Sequence, residues 1–379
     1  MRTRFLVLAA AALVLAACAA QKPTRPVIIS TLPSPTQSPS TSTPTAQPIS
    51  PPGDSPTTIW ATPAAFSELP GWANDDHVAA LSAFVASCPR QRDAVLGRVC
   101  QRALALTQPS EAQAKRFFEV NFVPEPELQP GLLTGYFTPI YAARAQAEGE
   151  FTEPLRPRPA DLPARPGPSA YADRATIERR ASADALAWMR PEDLFFLQIQ
   201  GSGVLVYPDG ARRRAVFDGS NGAPFLGIAL PLRQEGLLEN DDTSATSVHA
   251  WLAENRGSTA RAMMDRDRRY VFFRLEADDG KTPTGAAGAR LIPGRAVAVD
   301  PTRHAMGEML WIDARAPELT GAFPVYQRLA LALDTGGAIK GEVRADLYLG
   351  EGPDAGLEAG RVRHVLRLYR LEPIDPLAP

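Results

Sequence analysis

The sequence predicts an α+β protein, mainly β, whose strands have the character of a barrel. Three observations carry this. Apolar residues first recur at helical spacing, between about residues 78 and 122. The pattern turns to strand-like runs from Leu132 onward, and the last hundred or so residues are strands separated by Gly and Pro. No internal repeat is evident, which sets solenoids and propellers aside.

The N-terminus comes first. Arg2 and Arg4 precede an unbroken apolar run of 13 residues, Phe5 to Ala17. That is short for a membrane span, which needs about 20 residues, but it suits the core of a signal peptide. The run closes on Leu15-Ala16-Ala17-Cys18, a bacterial lipobox, so residues 1-18 read as a lipoprotein signal with Cys18 as the lipidated residue. Ala19 rather than Asp after that Cys points to the periplasmic face of the outer membrane. Residues 19-62 are rich in Pro, Ser and Thr, hold almost no bulky apolar side chains, and read as an extended tether.

Behind the tether, Val78, Leu81, Val85 and Cys88 share one helical face, as do Leu96, Cys100 and Ala103 in a second helix. Two helices meeting across Pro89-Arg90-Gln91 can bring Cys88 and Cys100 together as a disulfide, which an exported chain permits; buried free thiols are the alternative. Ser110-Glu111-Ala112-Gln113 reads as a capping box for a third helix carrying Phe117, Phe118 and Phe122 inward. Leu132 to Phe137 is a strand ended by Pro139, followed by a Pro-rich loop to Pro168 and a short helix around Arg174 to Arg180. Phe195 to Gln200 alternates and reads as a strand, turned at Gly201-Ser202-Gly203 into Val204 to Tyr207. One helix is expected over Ser247 to Asp265, and Tyr270 to Leu275 returns to β.

Composition narrows the chemistry. A net charge of −2 and a pI near 6.2 leave no electrostatic footprint for nucleic acid. The four His are scattered without metal-ligand spacing, so neither a metal site nor a cofactor is expected. Gly201-Ser202-Gly203 lacks the flanking residues of a nucleophile elbow, and Gly336 to Gly341 puts its Lys in the wrong place for a P-loop. What stands out is three aspartates in the C-terminal strands. Alternation groups Asp300 with Ala296 and Ala298, and Asp334 with Ala330 and Ala332. It groups Asp346 with Arg344 and Tyr348. Three strands each delivering a carboxylate beside small or polar neighbours suit a reactive cleft; the plain alternative is an Asp that binds turn amides at a strand end.

These residues resemble the membrane-bound lytic murein transglycosylase A family, from about Phe66 to Leu371. The resemblance rests on Leu69-Pro70-Gly71-Trp72, Leu133-Thr134-Gly135-Tyr136-Phe137, Asp193 through Gly203, and Tyr270-Val271-Phe272-Phe273. It continues through Pro293-Gly294-Arg295, Ala298-Val299-Asp300-Pro301 and Asp334 through Gly341, and ends on Asp346 with Gly350. It implies a double-psi β-barrel built from residues 63-140 and 279-375, with a smaller β domain inserted at 141-278. It implies Asp346 as catalytic acid with Asp334 in support. Thr134, Gly135, Tyr136, Gln200, Ser202, Asp300, Gly336, Gly337 and Lys340 would meet the substrate. Departures fall in the inserted region, at Phe217-Asp218, Ala223, Phe225 and Arg268-Arg269.

The implied reaction cuts the β-1,4 bond between N-acetylmuramic acid and N-acetylglucosamine in peptidoglycan without water, leaving a 1,6-anhydromuramyl end. Ordinary glycosidases need two carboxyls. Here the sugar's own C6 hydroxyl attacks C1, so one carboxyl can act as acid and then base, with proximity lowering the barrier. The expected partners are glycan strands, the membrane through the lipid anchor, and wall-synthesis or division proteins. Two rival readings differ in class. An aspartic protease would need a second Asp-Thr-Gly beside Asp334-Thr335-Gly336, which the chain lacks. A non-catalytic glycan-binding lipoprotein would use Tyr136 and Phe137 as a stacking platform.

Overall fold

The computed structural model describes residues 65–164, 166–167, 170–316 and 323–375. Cys18 and the segments read above as signal sequence and tether lie outside the described residues. Three helices come first: α1 (His77–Ser87), α2 (Ala94–Leu104) and α3 (Glu111–Asn121). Each starts at a side-chain cap, Asp76, Asp93 and Ser110 respectively, that accepts a hydrogen bond from an otherwise unpaired backbone N–H. At α3 the capping box is complete, since Gln113 also accepts from the Ser110 N–H. The disulfide Cys88–Cys100 ties the end of α1 to α2, with Cα atoms 5.7 Å apart.

The β elements follow as β1 (Phe122–Pro126), β2 (Gly131–Thr138), β3 (Ile140–Ala142) and β4 (Glu153–Leu155). Next come α4 (Arg174–Glu178), β5 (Ala187–Met189), α5 (Pro191–Gln200), β6 (Ser202–Val206) and β7 (Arg212–Ser220). The chain continues through α6 (Ala229–Gln234), α7 (Ala245–Glu254), α8 (Ser258–Met264), β8 (Val271–Ala277), β9 (Ala296–Val299) and β10 (Met309–Arg315). It ends with β11 (Val325–Thr335), β12 (Arg344–Glu351), α9 (Pro353–Ala359) and β13 (Arg363–Pro373).

The large sheet runs β1-β13-β10-β11-β9-β12-β2, and β13 also pairs with β2. Six strands therefore close into a barrel, with β1 added beside β13. Two pairings are parallel, β9 with β11 and β2 with β12. One apolar cluster draws on all six barrel strands and on no helix: Leu133, Val297, Leu310, Ala330, Ala345 and Leu366 represent it. It is the barrel interior. The small Ala330, Ala332 and Ala345 fit a lumen too narrow for six rows of large side chains. The alternate residues Trp311, Leu329, Leu331 and Leu333 join Trp72, Phe84 and Phe118 in a second cluster. There α1, α3 and the turn at Trp72 pack on the outer barrel wall. A second sheet, β3-β6-β7-β8, and a strand pair, β4-β5, form from residues between the two halves of the barrel. Among the described residues no helix is long and apolar enough to cross a membrane.

Three readings of local structure need correction. Phe195 to Gln200 is helical, the last two turns of α5. The alternation of six residues misled. Pro191 at the first helical turn, Glu192 and Asp193 beside it, and Gly201 in the left-handed region just past the end are helix start and stop signals. Leu194, Phe195, Leu197 and Gln198 are buried, while Ile199 is exposed. The helix expected over Ser247 to Asp265 is two helices, broken where Gly257 takes φ +102°. The third correction concerns Asp334 and belongs to the site.

Candidate functional site

The site is built on one row of side chains across the outer barrel wall. Asp346 on β12 is in register with Thr134 on β2 and with Ala298 on β9. Ala298 in turn is in register with Asp334 on β11. The row therefore reads Asp334, Ala298, Asp346, Thr134. Simple alternation along β11 puts Asp334 with Ala330 and Ala332, which is the barrel interior. A β-bulge between Ala332 and Asp334 makes the correction: Leu333 is the extra residue, and Asp334 moves to the outer face. The methyl of Ala298 leaves open the space between the two carboxylates. Asp346 follows its expected parity, on the face opposite Ala345 and Leu347.

Both carboxyls are drawn toward the neutral form. Burial is the main cause at Asp346, and the charge of Asp334 adds to it. The Thr134 hydroxyl, which donates to Asp346 Oδ1, and the Arg344 guanidinium pull the other way without prevailing. Arg344 directs Nη1 to its neighbour's carbonyl, Ala345 O, at 2.6 Å, so part of its donor capacity faces away from Asp346. At Asp334, burial again dominates, against donors from the Thr335 N–H, the Tyr136 hydroxyl (2.9 Å) and the Ala286 N–H (3.0 Å). Tyr136 and Tyr348, in register, pack at a tilt with ring centroids 5.3 Å apart, and the Tyr348 hydroxyl pairs with Thr138 at 2.9 Å. The aromatic pair thus holds the Tyr136 hydroxyl under Asp334. A cavity of about 90 Å³ between Gln91, Ala287, Met306 and Leu333 backs the Ala286 loop, and neither carboxylate lines it.

The remaining expected residues divide. Gln200, at the end of α5, accepts from the Phe137 N–H at 3.4 Å, so α5 abuts the β2 strand that carries Thr134 and Tyr136. Gly336 and Gly337 follow Asp334 in its loop, and Gly337 is exposed. Ser202 opens β6, partly exposed. Gly135 presents its side-chain position to Leu349, Ala359 and Val362, so it serves packing and offers a substrate only backbone. Asp300 is turned away into its own turn. It accepts from the Thr302 N–H and hydroxyl and from the Gly341 N–H, and these donors hold it down to about 2. Lys340, 3.7 Å from Asp300, pairs with that anchor rather than with the row. For Asp300 the turn-amide reading describes the geometry: it pins the end of the loop that follows Asp334. Among the described residues no group of three or more His, Cys, Asp or Glu is placed to hold a metal ion.

Sequence reasoning missed two elements of the site. Ala298 was grouped only as a small neighbour, whereas the register makes it the spacer between the carboxylates. Ala286 carries no sequence signal, because its contribution is a backbone N–H.

A closed six-stranded barrel that carries two carboxyls, both raised from the ordinary range by burial, on its outer wall and a second sheet formed between its two halves defines the class: a mainly β barrel protein with an acidic site. The relatives are specific. The family described as MltA specific insert domain matches residues 132–274, and the 3D domain matches residues 295–372. A crystal structure of a membrane-bound lytic murein transglycosylase from Agrobacterium tumefaciens is 32% identical, with a TM-score of 0.71 over 82% of this chain and 96% of that one. The membrane-bound lytic murein transglycosylase A of Vibrio cholerae is 31% identical over 247 residues, 63% of this chain; the match spans 65% of that protein's length. The Escherichia coli MltA crystallised with bound chitohexaose is 25% identical, with a TM-score of 0.64 over 80% of this chain and 90% of that one. The chain belongs to the membrane-bound lytic murein transglycosylase A family.

Proposed function

We propose that the protein is a lytic transglycosylase that cleaves peptidoglycan glycan strands, with Asp346 as the single acid and then base. The observation that carries this is the state of Asp346: its carboxyl is held toward the protonated form by burial while it remains partly exposed on the outer barrel wall. A carboxyl that holds its proton more tightly than an ordinary aspartate is suited to donate it to a glycosidic oxygen. As the bond from the muramyl C1 to the glucosaminyl oxygen breaks, the leaving oxygen takes that proton. The C6 hydroxyl of the same muramyl sugar then bonds to C1 and passes its proton to the Asp346 carboxylate. The acid is restored, and no water is consumed.

Asp334 supports the step. Its charge opposes ionisation of Asp346, and its hydrogen bonds to Tyr136 and Ala286 fix the loop beside the row. Thr134 orients the acid. The exposure of Gly337, and the partial exposure of Gly336, Gln200 and Ser202, let the glycan run between the barrel and the inserted sheet. In this reading residues 63-140 and 279-375 form the catalytic body and 141-278 the other wall. Cys18 carries the lipid, and residues 19-62 let the site reach a polymer away from the outer membrane.

The test is to incubate the protein with purified peptidoglycan and take mass spectra of the released fragments. Anhydromuramyl ends are expected. Reducing ends, one water heavier, would make the protein a hydrolase, and binding without release would make it a glycan-binding module.

A further inference from the structure

The region joining α8 to β8 places a guanidinium against the loop that follows Asp334. A Cβ built on Gly337 would stand 3.2 Å from Arg269 Nη1 and 3.4 Å from its Cζ, so the Arg269 side chain lies directly over the Gly-Gly backbone. A side chain at that position would push the guanidinium back by a few tenths of an ångström. The backbone beneath Arg269 is clamped. Arg174 Nη2 donates to the Arg269 carbonyl at 2.6 Å, the Arg269 N–H donates to Asp267 at 3.2 Å, and the Tyr270 N–H donates to Asn221 at 2.9 Å. Arg174, Asp267 and Asn221 are themselves buried, so the clamp is rigid.

The charge at its tip has no partner. Among the described residues the Arg269 guanidinium makes no hydrogen bond and no ion pair, although it is half-buried. Asp267, the nearest opposite charge, is already engaged by Arg174 at 3.7 Å and by the Leu226 and Arg269 N–H groups at 3.1 and 3.2 Å. Arg268 contrasts with it: 70% exposed and paired with Asp173, it is an ordinary surface cation. Burial makes the Arg269 charge costly; the attraction of Asp267 offsets part of that cost and the repulsion of Arg174 adds to it, leaving the charged form disfavoured. A partly desolvated, pre-oriented guanidinium whose donors make no direct ion pair is suited to a carboxylate, which it can bind through two parallel hydrogen bonds.

We propose that Arg269 binds a carboxylate of the muramyl side chain, so that this chain prefers muramyl-bearing strands over uncharged glucosaminyl ones. This rests on the reading of the protein as a peptidoglycan enzyme. Glucosaminyl units carry no anionic group. Muramyl units carry either a free lactyl carboxylate, on glycan stripped of peptide, or the carboxylates of the stem peptide.

The experiment measures binding in the Asp346→Asn protein, where no turnover intervenes, with and without Arg269→Gln. The ligands are peptide-free muramyl oligosaccharides, peptide-bearing ones and chitohexaose. Arg269→Gln should lower the ratio of muramyl to chitohexaose affinity tenfold or more, the usual scale of a charge-assisted bond. It should also remove the salt dependence of muramyl binding, and Arg269→Lys should restore part of the ratio. A loss on peptide-free strands assigns the lactyl carboxylate; a loss confined to peptide-bearing strands assigns the peptide. An unchanged ratio, or equal weakening of all ligands, overturns the proposal. Melting of the variant should not fall below that of its parent, because no intramolecular bond is removed and a costly buried charge is relieved. The protein carrying Asp346 is run alongside on peptidoglycan. Failure to release anhydromuramyl ends there refutes the activity, whereas the affinity ratio judges Arg269 separately.

Discussion

Asp346→Asn tests both halves of the site's chemistry. The amide keeps the carboxyl's size, and its oxygen can still accept the Thr134 hydroxyl, so the barrel wall is undisturbed. What it loses is the proton. General acid–base catalysis contributes about 10²- to 10⁴-fold, and here one group both donates and accepts. The rate should therefore fall by about 10⁴-fold, roughly 5.5 kcal/mol at about 1.4 kcal/mol per decade. Stability moves the other way. Burial raises Asp346 above the unfolded carboxyl value near ~3.9. A group that holds its proton more tightly when folded opposes folding once it must ionise, fully above the raised value and not at all below the unfolded one.

The asparagine escapes that penalty. It should melt higher than the parent at neutral pH, by about 1.4 kcal/mol for each unit by which the acid is raised. At about 2–4 °C per kcal/mol in domains of moderate size, the gain is measurable. The advantage should shrink as pH falls toward 4, where both side chains are neutral. Fragment release followed by mass spectrometry and melting curves at pH 7 and pH 4 make the two measurements. A variant retaining more than about 1% of the parental rate, or melting lower at pH 7 than at pH 4 relative to its parent, refutes the reasoning.

Three other outcomes follow from the same geometry. Tyr136→Phe removes a hydroxyl that lowers Asp334 while keeping the ring packed on Tyr348, so Asp334 should rise further. Activity should drop about tenfold and the pH–rate profile should shift; an unmoved profile contradicts the role. Replacing Cys88 and Cys100 together by Ser opens a disulfide of sequence separation 12 and should cost about 3 kcal/mol, read from the denaturant midpoint. Asp300 is held down to about 2, so its contribution to stability is present above the unfolded value near 4 and lost between there and about pH 2. Asp300→Asn should remove that segment of the acid-unfolding curve, and an acid transition identical to the parent's shows that the Gly341 anchor does not matter.

The sequence and the structure agree where a short, local rule decides. The α3 capping box needs four consecutive residues, and all of its bonds form. The Cys88–Cys100 link needs two helical faces and a proline break, and it is present. Asp346 lies on the face that alternation assigns, because β12 runs without interruption from Arg344 through Tyr348. The Phe195 segment shows the limit of periodicity. Six residues fit either period, and the start and stop signals at Pro191 and Gly201, with Leu197 and Gln198 both buried, separate them.

Long-range register decided the rest. No pattern along β11 shows that Leu333 bulges, because a bulge arises from how two strands twist against each other. Yet that one residue carries Asp334 from the lumen to the outer wall and into line with Ala298, Asp346 and Thr134. Asp300 looked equivalent to the other two aspartates in sequence, but its strand ends there and its carboxylate closes on the local N–H groups. Arg269 has a partner loop 68 residues away, brought close only by the pairing of distant segments. The chain by itself determined which residues are acids, which are small and which cap a helix. Only tertiary structure decided which acids share a wall, because side-chain direction in a sheet depends on every residue inserted before it.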